Sequence, residues 1–231
     1  MSGTGSGGPG GKGPKRIWLV AVVFGLVSSA ILAMIVIVAT RSSSTSAPDP
    51  RPKVAIVGDS ITEQGESALK AGLSGHWRLR IDGRAGFTVA QQLPAARDLG
   101  DWGPSQVVVN LGTNDVMKGS DLGQSADELR EVVAAFPEAS CVHLVTLNEG
   151  IRLAGTSYAA RSAELNQVMA ELAAADPRVH LIDWSSVVAA DEASSDADDP
   201  ILNDTVHPTS RGQRVLTGLY AEALAACPAP S

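Results

Sequence analysis

Four short blocks stand in a fixed order along the chain: Gly58-Asp59-Ser60-Ile61-Thr62, then Gly86, then Gly112-Thr113-Asn114-Asp115, then Asp204-Thr205-Val206-His207-Pro208. Between them they hold the groups that acyl transfer requires. Ser60 supplies a hydroxyl nucleophile, His207 a base, and Asp204 a carboxylate that can orient the imidazole. Backbone N–H groups and the Asn114 side-chain amide are two kinds of donor for a developing oxyanion. Taken singly the blocks are ordinary. Gly-Asp-Ser after a strand reads as a helix cap, Gly86 as a turn glycine, and Gly112 to Asp115 as a loop that satisfies its own backbone. Their joint presence and order carry the chemical reading.

The elements that must position these groups follow from hydrophobic periodicity. Short β-branched runs at Val54–Val57, Trp77–Ile81, Val107–Leu111, Val142–Leu147 and Val179–Ile182 read as strands. Longer segments between them, Ala126–Phe136 and Tyr158–Ala175, carry helical spacing, with Leu165, Val168, Met169 and Leu172 on one buried face, and a last helix is expected over Ser210–Ala226. Pro94, within Thr88–Leu99, is expected to begin or kink a helix rather than occupy a regular interior. Strands alternating with helices predict a parallel sheet, because each parallel strand needs a crossover. The fold class is therefore α/β: a three-layer α/β/α domain with a five-stranded parallel sheet. Ser60, Gly86, Asn114 and His207 follow the first, second, third and fifth strands, so all four are expected at the carboxyl edge of the sheet, where open α/β sheets bind ligands. Three-residue spacing would set Asp204 and His207 on one side of a helical turn, with Pro208 helping to start the helix that follows. Trp184, just past the fifth strand, is expected to border the pocket.

With these flanking residues the chain resembles the GDSL, or SGNH, hydrolase family over roughly residues 53–228. Ser60, Gly86, Asn114 and His207 match its four named residues, and Asp204 and His207 match its Asp-x-x-His block. Ile61 stands where the family's common name has leucine. The resemblance implies a flavodoxin-like fold, a catalytic triad of Ser60, Asp204 and His207, and an oxyanion hole made by the backbone N–H groups of Ser60 and Gly86 with the Asn114 amide. It also implies acyl-serine ester hydrolysis without a cofactor or metal. Asp59 and Asp115 are read as tying down loop backbone rather than as catalysts. His143 and His180, inside strands, are read as satisfied structural histidines, His76 as a loop residue, and Asp191, Glu192, Asp196, Asp198 and Asp199 as a solvated acidic loop.

Composition sets the surroundings. Residues 1–52 carry five basic and one acidic side chain and residues 53–231 thirteen and twenty-four, so the respective charges are +4 and −11. So acidic a domain does not favour nucleic acid. Ile17 to Thr40 runs 24 residues without a charge, enough for a helix to cross a bilayer core of about 30 Å. The expected organisation is a disordered cytoplasmic tail over 1–16, a transmembrane signal-anchor helix over 17–40, a Ser/Pro-rich linker over 41–52 and the hydrolase domain over 53–228. Lys12, Lys15 and Arg16 ahead of the apolar run place the tail inside and the domain outside. Cys141 and Cys227 are the only cysteines, and both a single bridge and two separately buried thiols fit the sequence. The expected partners are the membrane, through the N-terminal helix, and an acyl-ester substrate of envelope carbohydrate or lipid. The same residues would also serve an O-acyltransferase that passes the acyl group to a glycan hydroxyl, or a binding module without catalysis.

Overall fold

A computed structural model describes residues 3–5, 49–194 and 199–228. The folded body lies within Pro50–Ser231. The expected membrane segment 17–40 lies outside the described residues, as do most of the tail and residues 41–48 of the linker. Among the described residues no helix is long and apolar enough to cross a membrane.

Five strands form one parallel sheet: β1 (Lys53–Gly58), β2 (Arg78–Gly83), β3 (Gln106–Asn110), β4 (Cys141–Val145) and β7 (Val179–Ile182), in the order β2-β1-β3-β4-β7. The central strands are continuous apolar runs because both faces are covered, as parallel sheets require. On β1, Val54 and Ile56 pack on one face and Ala55 and Val57 on the other. Register matters most for function. Gly58 pairs with Gly83 on one side and with Asn110 on the other. The segments holding Ser60, Gly86 and Asn114 thus leave the sheet at one level.

One outer layer contains α2 (Val89–Asp101), α4 (Leu122–Ala134) and α5 (Ala159–Ala175), which bury Leu99, Leu129, Val132, Leu165 and Met169 against the sheet. The other contains α1 (Ser60–Leu73), α6 (Trp184–Ala193) and α7 (Ser210–Ala226), with Leu69, Leu73, Val188, Leu216, Tyr220 and Leu224 buried. These are the three layers that the alternation predicts. The short α3 (Thr113–Lys118) and a two-residue hairpin, β5 (Arg152–Leu153) with β6 (Thr156–Ser157), complete the described elements.

Pro94 departs from expectation: it occupies the interior of α2, which starts at Val89 behind a Thr88–Gln91 capping box. The ring removes one intrahelical bond, to the carbonyl of Ala90. Both residues are exposed, so water can take that acceptor. The cap and the buried Val89, Gln92, Ala96 and Leu99 hold the helix together around it. At the amino edge of the sheet Cys141 and Cys227 are joined by a disulfide that closes 86 residues of sequence with Cα atoms 6.2 Å apart. It ties the start of β4 to the end of α7.

Candidate active site

The turn from β1 into α1 is built by its glycine and aspartate. A Cβ on Gly58 would lie 2.0 Å from Thr62 Oγ1 and 3.0 Å from the Asn110 carbonyl oxygen, so only glycine lets α1 start this close to the strand end. Asp59 caps α1, its Oδ1 accepting from the Ile61 N–H at 3.0 Å. Ser60 is the first residue of the helix. Its backbone N–H has no intrahelical acceptor and points out of the positive end of the helix dipole.

The second loop is pinned residue by residue. The N–H groups of Arg84, Ala85, Phe87, Thr88 and Val89 donate to Gly58 O, Glu63 Oε2, Arg84 O, Gln91 Oε1 and Asp115 Oδ2. The Gly86 N–H alone in this run has no protein acceptor among the described residues. Gly86 adopts φ +76°, a backbone that favours glycine, and its carbonyl takes a hydrogen bond from the Lys118 ammonium. On α3 the buried Asn114 donates one side-chain N–H to Asp59 Oδ2 at 3.3 Å, which leaves its second N–H for a ligand.

The fourth block sits in a braced loop rather than a helical turn. Leu202 and Pro208 form an isolated bridge, the Asn203 N–H donates to the His207 carbonyl, and α7 begins only at Ser210, capped by Thr209. The expectations that Asp204 and His207 share a helical turn and that Pro208 starts the following helix are thus corrected. Asp204 instead makes a side-chain turn, with Oδ1 accepting the N–H groups of Val206 at 2.6 Å and His207 at 2.7 Å. Its Oδ2 lies 3.0 Å from His207 Nδ1, and His207 Nε2 lies 3.1 Å from Ser60 Oγ. Carboxylate, imidazole and hydroxyl therefore form one relay. Partial burial is the largest single influence on Asp204 and pushes its pKa up. The hydrogen bonds from the His207 ring and from two backbone N–H groups outweigh it, so the carboxyl sits below the usual range and stays ionised beside the imidazole.

Asp59 stands behind this relay in the opposite electrostatic condition. It is fully buried, and burial raises its pKa from the ordinary 3.8 to about 7, opposed by the Ile61 N–H and by His207 and assisted by the Asp115 charge. Asp115 is also raised by burial, while its two oxygens hold Val89 N–H and Ser125 Oγ. Both aspartates tie down loops, as their positions suggest, and Asp59 additionally holds the Asn114 amide.

The chain matches the model of the GDSL-like lipase/acylhydrolase family over residues 56–215. It belongs to that family. The family is one of ester hydrolases, and this protein is an ester hydrolase. Solved structures share the fold. An acetyl xylan esterase superposes with a TM-score of 0.64 at 20% identity, covering 74% of this chain and 99% of that one. A GDSL-like lipase from Bacteroides thetaiotaomicron gives 0.63 at 20% identity over 81% and 95%. The C-terminal catalytic domain of a Streptococcus pneumoniae peptidoglycan O-acetyltransferase, carrying a methylsulfonyl adduct, gives 0.56 at 22% identity over 77% and 92%. No curated protein sequence matches the chain.

The bracing of the histidine loop and a groove beside the site were not visible in the sequence of the hydrolase. Asn148, after β4, donates to the Thr205 carbonyl at 2.9 Å, and Thr205 exchanges hydrogen bonds with the Arg152 backbone, so the β5–β6 hairpin props up the histidine loop. Trp184 is buried beside Ile61, Thr113 and Val206, each a chain neighbour of a candidate site residue. A groove of about 730 Å³ with mixed polar and apolar lining opens next to them, bounded by Glu149, Asn166, Asp183, Glu192 and Leu181 and sharing Thr146 and Asn148 with the space beside Trp184.

Outside the site, His180 is exposed on β7 and His76 lies in a turn, whereas His143 is buried with neither ring nitrogen hydrogen-bonded. The expectation of a satisfied histidine fails at His143, because neighbouring β4 positions and the α7 side of the core offer it no acceptor. Asp191 and Glu192, expected in the acidic loop, lie in the last turn of α6 instead; Asp191 and Asp199 pair with Arg211, and Asp196 and Asp198 lie outside the described residues. Among the described residues no three His, Cys, Asp or Glu side chains gather as a metal ion would need.

Proposed function

We propose that the protein is a membrane-anchored, extracytoplasmic serine esterase that removes acyl groups from an envelope carbohydrate. The observation that carries the mechanism is the Ser60–His207–Asp204 relay, with its 3.1 Å and 3.0 Å separations across 147 and 3 residues of sequence. Ser60 Oγ attacks the ester carbonyl while His207 Nε2 takes its proton. The resulting imidazolium, held by ionised Asp204, returns the proton to the departing alcohol oxygen. The oxyanion accepts from the Ser60 and Gly86 N–H groups and from the second N–H of Asn114, each worth about 3 kcal/mol to the transition state. Water, deprotonated by His207, then attacks the acyl-serine carbonyl, releasing the acid and restoring Ser60. The His207 side chain is 30% exposed, so water reaches the base directly.

A carbohydrate is favoured over a lipid by the groove of amides and carboxylates beside the site, whose donors and acceptors suit hydroxyl groups rather than acyl chains. Export is supported by the disulfide, which persists in oxidising compartments. The anchor rests on the uncharged run 17–40 and the basic residues ahead of it.

The test is hydrolysis of p-nitrophenyl acetate and of an O-acetylated glycan by the detergent-solubilised full chain, together with labelling by a fluorophosphonate. Ser60→Ala should abolish all three. Hydrolysis that survives Ser60→Ala, or a serine that fails to label, would refute the mechanism. Release of acetylated acceptor instead of free acetate, when a glycan acceptor is added, would reassign the enzyme as a transferase. Recovery of the chain in the carbonate-soluble rather than the membrane fraction would refute the anchor.

A further inference from the structure

We infer that the enzyme selects short acyl groups, acetyl above all, because the acyl moiety of the Ser60 ester must enter a closed pit with room for about one methyl group. This deepens the esterase reading and rests on it. The pit is bounded by Ile61, Thr113 and Val206, the chain neighbours of Ser60, Asn114 and His207, and is walled opposite them by Leu147, Ile151 and Trp184. Ser60, Asn114 and His207 do not line it themselves, but three separate segments each contribute the residue next to one of them, so the pit lies one residue away from nucleophile, oxyanion donor and base.

Its volume is about 10 Å³, the space one water-sized sphere occupies. Of the four polar side chains that line it, Asn110, Thr113, Thr146 and Asn148, three are already engaged. Asn110 donates to Tyr220 Oη at 2.9 Å, Asn148 donates to the Thr205 carbonyl and accepts from the Gly150 N–H, and Thr146 Oγ1 accepts from the Ser185 N–H. A methyl group loses nothing by entering such a space, whereas a longer chain must push aside walls that cannot retreat. Ile151 and Trp184 are 1% and 2% exposed and belong to the core between the sheet and the helices α1, α6 and α7. Close-packed cores of this kind resist added methylenes. Each methylene that a pocket cannot admit lowers kcat/KM by about 10- to 200-fold. The groove that holds Glu149, Asp183 and Glu192 together with Leu181 lies beyond the pit, so a longer acyl chain reaches it only by displacing the wall between them.

The experiment compares kcat/KM of the full chain for p-nitrophenyl acetate, butyrate and octanoate, and repeats the series with Ile151→Ala and with the milder Ile151→Val. Acetate should exceed butyrate, which is two methylenes longer, by at least about 100-fold, with octanoate lower again. Ile151→Ala should raise the butyrate-to-acetate ratio at least about tenfold, and Ile151→Val should move it in the same direction by less. If the alanine variant does not fold, the valine variant decides. Equal rates on acetate and octanoate, or a ratio that neither folded variant moves, overturns the inference while leaving the esterase reading intact. Absence of hydrolysis at every chain length together with absence of fluorophosphonate labelling overturns that reading, and this inference with it.

Discussion

Replacing Asp59 with asparagine separates two effects that the buried carboxyl combines. Its pKa rises from the ordinary 3.8 in the unfolded chain to about 7 in the native protein, so the native state holds its proton more tightly. The stability this contributes is complete below the unfolded value and is lost as pH rises through the native one. At about 1.36 kcal/mol per pKa unit, ionisation costs the native state about 4 kcal/mol by pH 8 and about 1.5 kcal/mol at pH 5. Asparagine cannot ionise and escapes both costs. However, its single carbonyl oxygen cannot serve the Ile61 N–H and the Asn114 amide together, as the two carboxyl oxygens do at 3.0 Å and 3.3 Å. One buried donor is orphaned, at about 1–3 kcal/mol independent of pH. The stability of Asp59→Asn relative to the parent should therefore improve by about 2.5 kcal/mol between pH 5 and pH 8, measured by urea unfolding at both values. At the same time kcat should fall, because the Asn114 amide loses the acceptor that aims it, while KM changes little. A stability difference that stays constant across this pH range would refute the assignment of Asp59 as a buried, proton-holding carboxyl.

Asp204 is 57% exposed at its side chain, so Asp204→Asn should leave the fold intact. It should nevertheless lower kcat by about 10²- to 10⁴-fold in steady-state assays, since the amide no longer holds the imidazole in the required tautomer. Removing the Cys141–Cys227 bridge, which closes 86 residues, should cost about 2–5 kcal/mol in denaturant unfolding with kcat unchanged, because the bridge lies at the amino edge of the sheet and the site at the carboxyl edge. Burial, helped by His180, lowers the pKa of His143 from 6.5 to about 4. The unfolded chain then binds the proton first, and the native state should lose about 3 kcal/mol as pH falls from 6.5 through 4. His143→Leu should remove that acid sensitivity in thermal melts taken across the range, and an unchanged acid slope would show that His143 does not cause it.

The sequence alone determined the elements whose signals are local. The runs Val54–Val57 and Val107–Leu111 read as buried parallel strands because both faces are apolar, and α7 begins and ends at Ser210 and Ala226 as its periodicity predicts. The blocks around Ser60, Asn114 and His207 were legible because each sits just past a strand or in the loop ahead of the last helix, and parallel topology sends all those positions to one edge. Pro94 misled, since a propensity near 3 kcal/mol against helix interiors was overridden by a cap and a buried face that only packing reveals. What the tertiary structure decided is whatever depends on distance between segments far apart in sequence. The relay between Ser60 and His207, the bridge between Cys141 and Cys227, the grip of Asp59 on Asn114, and the closure of the pit by Ile151 and Trp184 are all of this kind. Periodicity and propensity report how a segment turns on itself and which face it buries. They carry no information on which buried faces meet, and that meeting is what brings Ser60 Oγ within 3.1 Å of His207 Nε2 and Ile151 and Trp184 to the same small cavity.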